Sequence, residues 1–203
     1  MVLQRFIFYS LGIFILTFGI ACTIQSTLGA GPFDALLVGL HRTFGLSVGS
    51  WEIVLGLIMV LSNALAEKRR PEYFALVTSL ITGACIDFWL LILSDIVNPA
   101  LFLTQLLVLL IGMIVGGLGI AINLQADFAP NPMDRSMLVI RKLTGFNLFI
   151  SRGLLSIILV IFAFIFSGAI GIGTLIYAVF SGLVINFFMP YVERFERKKI
   201  QNA

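Results

Sequence analysis

Apolar residues fill the chain in six long runs, at roughly 6–26, 48–66, 73–94, 100–124, 148–167 and 171–190. Each approaches the ~20 residues that a helix needs to cross a bilayer. Between the first and second runs, and again between the fourth and fifth, lies a shorter and more polar segment: 32–45 and 132–145. Leu36, Leu37, Leu40 and Phe44 give the first of these an apolar stripe at helical spacing. Fourteen helical residues rise only about 21 Å against a hydrocarbon core of about 30 Å. Neither short segment is expected to cross the membrane alone; each re-enters it as a half-helix or lies on its surface as an amphipathic helix.

The pattern occurs twice. "QSTLGAGPFD" (25–34) and "QADFAPNPMD" (125–134) carry Gln, Pro and Asp at identical spacing. Over residues 12–45 and 112–145, the shift by one hundred aligns Gly12, Gly19, Ile20, Ala21, Gln25, Pro32, Asp34 and Gly45 with identical residues. Those eight identities exceed the about three expected from so apolar a composition. With one residue deleted, "GACIDFW" (83–89) lies on "GLVINFF" (182–188), so Asp87 corresponds to Asn186. The chain therefore reads as two copies of one unit, 1–99 and 100–203, together forming one membrane domain. Such self-similarity organises the whole reading.

Charge then fixes an orientation. With six spans and both termini inside, Arg5, Lys68, Arg69, Arg70, Arg135, Arg141, Lys142, Arg194, Arg197, Lys198 and Lys199 are cytoplasmic, eleven of the 13 Lys and Arg. The connections near 95–99 and 168–170 carry none. This is a positive-inside distribution. Three spans per copy is an odd number, so the second copy enters the membrane inverted relative to the first, as in many secondary transporters.

Composition agrees: of 203 residues, 60% are hydrophobic and 11% charged, and the mean hydropathy is +1.09. Soluble domains carry about 25% charged residues, so lipid is the expected solvent, and soluble-enzyme and nucleic-acid-binding classes are excluded. With His41 alone among histidines, "HExxH" zinc chemistry is impossible. No catalytic triad, phosphate-cradling loop, metal motif or cofactor motif is present, and no enzyme activity is expected. Cys22 and Cys85 lie inside apolar runs and read as small core residues.

Gly31-Pro32 and Asn131-Pro132 read as helix starts, since Gly and Asn suit the cap and Pro the first helical position. Asp34 and Asp134 then meet the positive ends of their helices. Gln25 and Gln125 stand beside these turns. Asp87, inside the third apolar run, is a functional candidate because intramembrane charge is costly; Asn186 is its neutral counterpart. Glu52 and Arg152 occupy equivalent places at the starts of the second and fifth spans and suit interface anchors. Glycines 112, 116, 117 and 119 permit close helix contact.

"STLGAGPFDALLVGLHRTFGLSVGSW" (26–51) and "FAPNPMDRSMLVIRKLTGFN" (128–147), with their flanking helices, resemble the YczE-like bacterial membrane proteins, relatives of the YitT type. That resemblance covers nearly the whole chain and implies a multi-pass protein of the bacterial cytoplasmic membrane. It supplies no substrate.

The expectation is an all-α integral membrane protein that moves a small polar solute or ion through a path lined by Gln25, Asp34, Asp87, Gln125, Asp134 and Asn186. Its surroundings are the lipid bilayer, and a homo-oligomer is compatible with it. The alternatives are a substrate-binding membrane subunit of a larger uptake system and a scaffold or regulator without a solute path.

Overall fold

A computed structural model describes residues 2–126 and 131–201. Among the described residues there are eight α-helices and no strand: α1 (Val2–Gln25), α2 (Pro32–Phe44), α3 (Val48–Glu67), α4 (Tyr73–Ile96), α5 (Phe102–Ala126), α6 (Pro132–Thr144), α7 (Leu148–Ile165) and α8 (Ile172–Gln201). Six of them are long and apolar enough to cross a membrane, over Arg5–Gln25, Val48–Glu67, Tyr73–Ile96, Phe102–Ala126, Leu148–Ile165 and Ile172–Arg194. The chain is an all-α, multi-pass membrane protein. Its six apolar runs and two short helices fall where the hydropathy pattern places them. The outer surfaces of the long helices carry side chains such as Leu91, Phe149 and Phe164, 74%, 86% and 78% exposed, which only lipid solvates cheaply.

Two compact units form, and each draws on both halves of the sequence. The first comprises residues 1–31, 88–128 and 171–203. Its centre is the contact between α1 and α5. Small residues set that distance. A Cβ on Gly12 would stand 2.7 Å from the Asn123 nitrogen, and one on Gly19 would stand 2.6 Å from the Gly112 carbonyl oxygen. Lipid-soluble helices associate through such close packing because no hydrophobic effect drives them together. Trp89, near the end of α4, donates its indole N–H to the Phe14 carbonyl at 3.0 Å and packs against Phe14 and Phe18. The turn after α1 is buried at Gly29, Ala30 and Gly31. Gly29 has φ of 115°, and a side chain there would meet the Gly171 backbone. Only glycine meets both demands.

The second unit comprises residues 32–87 and 129–170. It contains α2, α3, α6, α7 and the first part of α4. Its core is Ala35, Leu36 and Leu40 of α2 against Leu155, Leu159 and Ala163 of α7. Here α3 and α4 approach closely, since a Cβ on Gly49 would overlap the Gly83 carbonyl. Both short helices end at a glycine in left-handed conformation, Gly45 (φ 77°) and Gly145 (φ 74°). Without a Cβ penalty the chain can turn there and stop the helix.

Candidate functional site

The second unit gathers the polar chemistry. α2 is no surface helix with one wet face: every residue from Asp34 to Leu40 is buried. It lies along α7, and its last turn reaches the end of that helix. Arg42 donates to the Ser167 carbonyl at 3.0 Å, and Thr43 to the Phe166 carbonyl at 3.0 Å. α6 keeps one buried face, with Pro132, Ser136 and Val139. It lies along the later half of α3. Pro132 sits beside Gly56, near the middle of α3. Asn63 donates to Ser136 at 3.0 Å and to the Pro132 carbonyl at 3.5 Å. Glu67, the last residue of α3, accepts from Arg135 at 2.6 Å and from Lys142 at 2.8 Å. Thus α6 begins near the midpoint of α3 and finishes at its end.

Contacts recur at the hundred-residue spacing. Arg42 and Lys142 correspond, and so do their acceptors, Ser167 and Glu67. α2 touches α3 and α7; α6 touches α7 and α3. Each short helix therefore packs on the next long helix of its own half and on the equivalent helix of the other half. The caps differ in detail. Asn131 accepts from the Met133 N–H at 2.9 Å, and Pro132 follows as the first helical residue. Gly31 precedes Pro32 without a side chain to cap it.

Acids and their neighbours decide what the site can do. Asp34 is 7% exposed and Glu52 is 4% exposed. The charge of Asp34 bears on Glu52, and among the described residues no basic group pairs with either. Burial pushes the Asp34 carboxyl up to about 7. In the second half the equivalent neighbours are Asp134, on the exposed side of α6, and Arg152; desolvation holds the Asp134 carboxyl above its usual range, and the Arg152 charge offsets that only in part. One half thus sets acid against acid, the other acid against base. Glu52 is no interface anchor, and its full burial is what hydropathy could not reveal.

Asp87 has a different employment. One carboxylate oxygen accepts from the Ser47 hydroxyl, and the other accepts from the Gly49 N–H at 2.7 Å. Ser47 caps α3, accepting from the Ser50 N–H at 3.0 Å. Asp87 therefore closes the start of α3 from the neighbouring helix, a charge-assisted contact at a positive helix end.

Of the six proposed path residues, Asp34, Asp87 and Asp134 belong to the second unit, whereas Gln25, Gln125 and Asn186 belong to the first. Gln125 donates to Glu193 at 3.3 Å, Gln25 is half-buried at the end of α1, and Asn186 is exposed on α8. The second polar turn, 127–130, lies outside the described residues. Among the described residues no group of three metal-ligating side chains converges.

The sequence matches the family of unknown function (DUF6198) over residues 3–190. It is 43% identical over 191 residues to the uncharacterized protein YyaS of Bacillus subtilis, covering 94% of this chain and 95% of that one. It is 33% identical over 189 residues to the uncharacterized membrane protein YczE of the same organism, covering 92% and 86%. An uncharacterized protein of Haemophilus influenzae is 27% identical over 183 residues, covering 89% and 81%. No solved structure matches the chain.

Proposed function

Since the chain belongs to the DUF6198 family, we propose that it is a permease for a small polar solute or cation, made of two inverted repeats in the bacterial cytoplasmic membrane with both termini inside. If α3 spans, Gly56 lies near mid-depth, and α6 re-enters from the face where α3 ends. By the equivalent packing, α2 re-enters from the face where α7 ends. The positive-inside distribution puts the α3 end, followed by Lys68, Arg69 and Arg70, in the cytoplasm. Irregular backbone at membrane depth is tolerated where protein or a wet cavity surrounds it.

One observation carries the reading: Asp34 and Glu52 are buried within reach of each other's charge, and among the described residues no cation pairs with them. Two neighbouring carboxylates in a low dielectric do not both stay ionised. They hold a proton, or they hold a cation in its place. A membrane protein that maintains such a pair has a group ready to exchange H⁺ for solute or ion. In the other half the equivalent positions hold an acid and a cation, Asp134 and Arg152, with no ion pair between them among the described residues. Asp87 positions α3, and through it Glu52, rather than binding the solute.

The test is flux. Proteoliposomes loaded with a pH-sensitive dye are challenged with amino acids, sugars, nucleosides and organic or inorganic cations under an imposed pH gradient. A productive solute moves protons in wild type; Asp34→Asn and Glu52→Gln uncouple solute from protons. Uptake that ignores the gradient and survives both substitutions refutes the assignment.

A further inference from the structure

A second polar feature stands apart from the acid pair. Between the end of α3, the turn into α4 and the flank of α6 is a cavity of ≈ 40 Å³ lined in part by Asn63, Glu67, Arg69, Arg70, Glu72 and Arg135. That volume holds a few waters, or the oxygens of one phosphate group, but no larger organic solute.

Its charges are unevenly committed. Glu67 is bonded by Arg135 at 2.6 Å and Lys142 at 2.8 Å, and Glu72 by Arg135 at 3.0 Å. Both acids at the cavity are thus neutralised. Arg69 and Arg70 are exposed and form no ion pair among the described residues. Three guanidinium groups line the cavity against two carboxylates, and Arg69 also acts on Glu67 through its charge, which leaves one net positive charge to take an anion. The guanidinium fork matches phosphate oxygens in particular.

The level of the cavity agrees with that chemistry. It sits at the end of a membrane-spanning helix, and the next helix opens with Tyr73 and Phe74, 68% and 72% exposed. Exposed aromatic residues at helix ends mark the headgroup layer. Lipid phosphates are concentrated in that layer, and basic pockets between helices on the cytoplasmic side recognise anionic headgroups.

We propose that this cavity is a phosphate-group site, held by Arg69 and Arg70 with Arg135 fixed behind them, which takes the phosphodiester of an anionic lipid or a free phosphate. It is independent of the permease assignment and needs only that α3 ends at the membrane surface.

Native mass spectrometry of the purified full chain tests it, with phosphatidylglycerol, phosphatidylcholine and inorganic phosphate added separately. The expected result is retention of phosphatidylglycerol over phosphatidylcholine. The Arg69→Ala/Arg70→Ala variant binds it about thirty-fold more weakly, the equivalent of ~2 kcal/mol from two surface guanidinium contacts. Arg141→Ala, an exposed cation away from the cavity, leaves the preference intact, and Arg69→Lys/Arg70→Lys restores most of it. Retention of inorganic phosphate with the same variant dependence assigns the site to the free anion instead. Equal retention of both lipids without phosphate binding, or a preference unchanged in the double alanine variant, overturns the proposal.

Discussion

Replacing Asp34 by Asn tests the buried acid by its effect on stability. Asp34 is held at about 7 against an ordinary 3.8 because burial penalises its charge. Below pH ~4 the carboxyl is protonated whether the chain is folded or not, and burial costs nothing through this group. As pH rises from ~4 to ~7 the unfolded chain ionises while the folded one keeps its proton. The unfolded state then binds fewer protons, so stability falls with pH. Above ~7 the penalty is complete. Each tenfold in proton affinity is worth about 1.4 kcal/mol, so the full penalty is on the order of 4 kcal/mol. Asn has nearly the same shape and no charge. The variant is therefore expected to match wild type only near pH ~3 and to exceed it progressively up to pH 8. At about 2–4 °C per kcal/mol for a chain of this size, the midpoint rises by on the order of 10 °C at pH 8. Trp51 and Trp89 report unfolding by intrinsic fluorescence in detergent. A difference that is constant with pH, or a variant less stable at pH 8, refutes the burial argument. The same variant should lose proton-coupled flux, stability gained where function needs a charge.

Four further outcomes follow from the packing. Gly19→Ala places a methyl group against the Gly112 and Gly116 backbone, and should cost at least 1–3 kcal/mol in thermal unfolding; Gly182→Ala, with open space around it in α8, should be neutral or stabilising by up to about 1 kcal/mol. Glu67→Ala frees Lys142 and leaves Arg135 with Glu72 alone; the thermal midpoint should fall, and labelling at the α6 surface should increase. Asp87→Ala leaves the Ser47 hydroxyl and the Gly49 N–H without their acceptor, an expected loss of about 1.5–3 kcal/mol by thermal melt. In a chain freed of Cys22 and Cys85, single cysteines at Phe44 and Leu143, both exposed at the ends of the short helices, should react with an impermeant maleimide from opposite faces; labelling from one face excludes the inverted arrangement.

Length, hydropathy and turn chemistry made the elements legible. Pro32 and Pro132 mark the starts of the short helices because proline fits a first helical turn, and Gly45 and Gly145 mark their ends. Interior contacts were not legible in the same way. The apolar stripe of α2 at Leu36, Leu37, Leu40 and Phe44 suits a helix lying on the membrane surface as well as a buried one, so the stripe does not announce the burial. Glu52 reads as a charge four residues into an apolar run, where an anchor is the ordinary expectation; its burial depends on α2 lying across it. The Glu67 network joins residues 67, 72, 135 and 142, far apart in sequence, and no local spacing announces it. Asp87 was visible as a costly charge, but its partners, Ser47 and Gly49, lie some forty residues away.

What separates the two halves is their electrostatics. Their short helices start on Pro, carry Asp at the third position, stop on Gly and close on a cation of the last turn. Against that shared backbone one charge is reversed: Glu52 in one copy, Arg152 in the other. A symmetrical pair of acid–base contacts would be self-neutralised on both sides and would bind no proton or cation. A symmetrical pair of acid–acid contacts would need two compensating charges in one small chain. Changing that equivalent position gives one side a nearby cation and leaves the other with two acids and no basic partner among the described residues. That imbalance, set between two short helices that pack on equivalent long helices, is the physical basis of the proposal of a cationic or proton-coupled cargo.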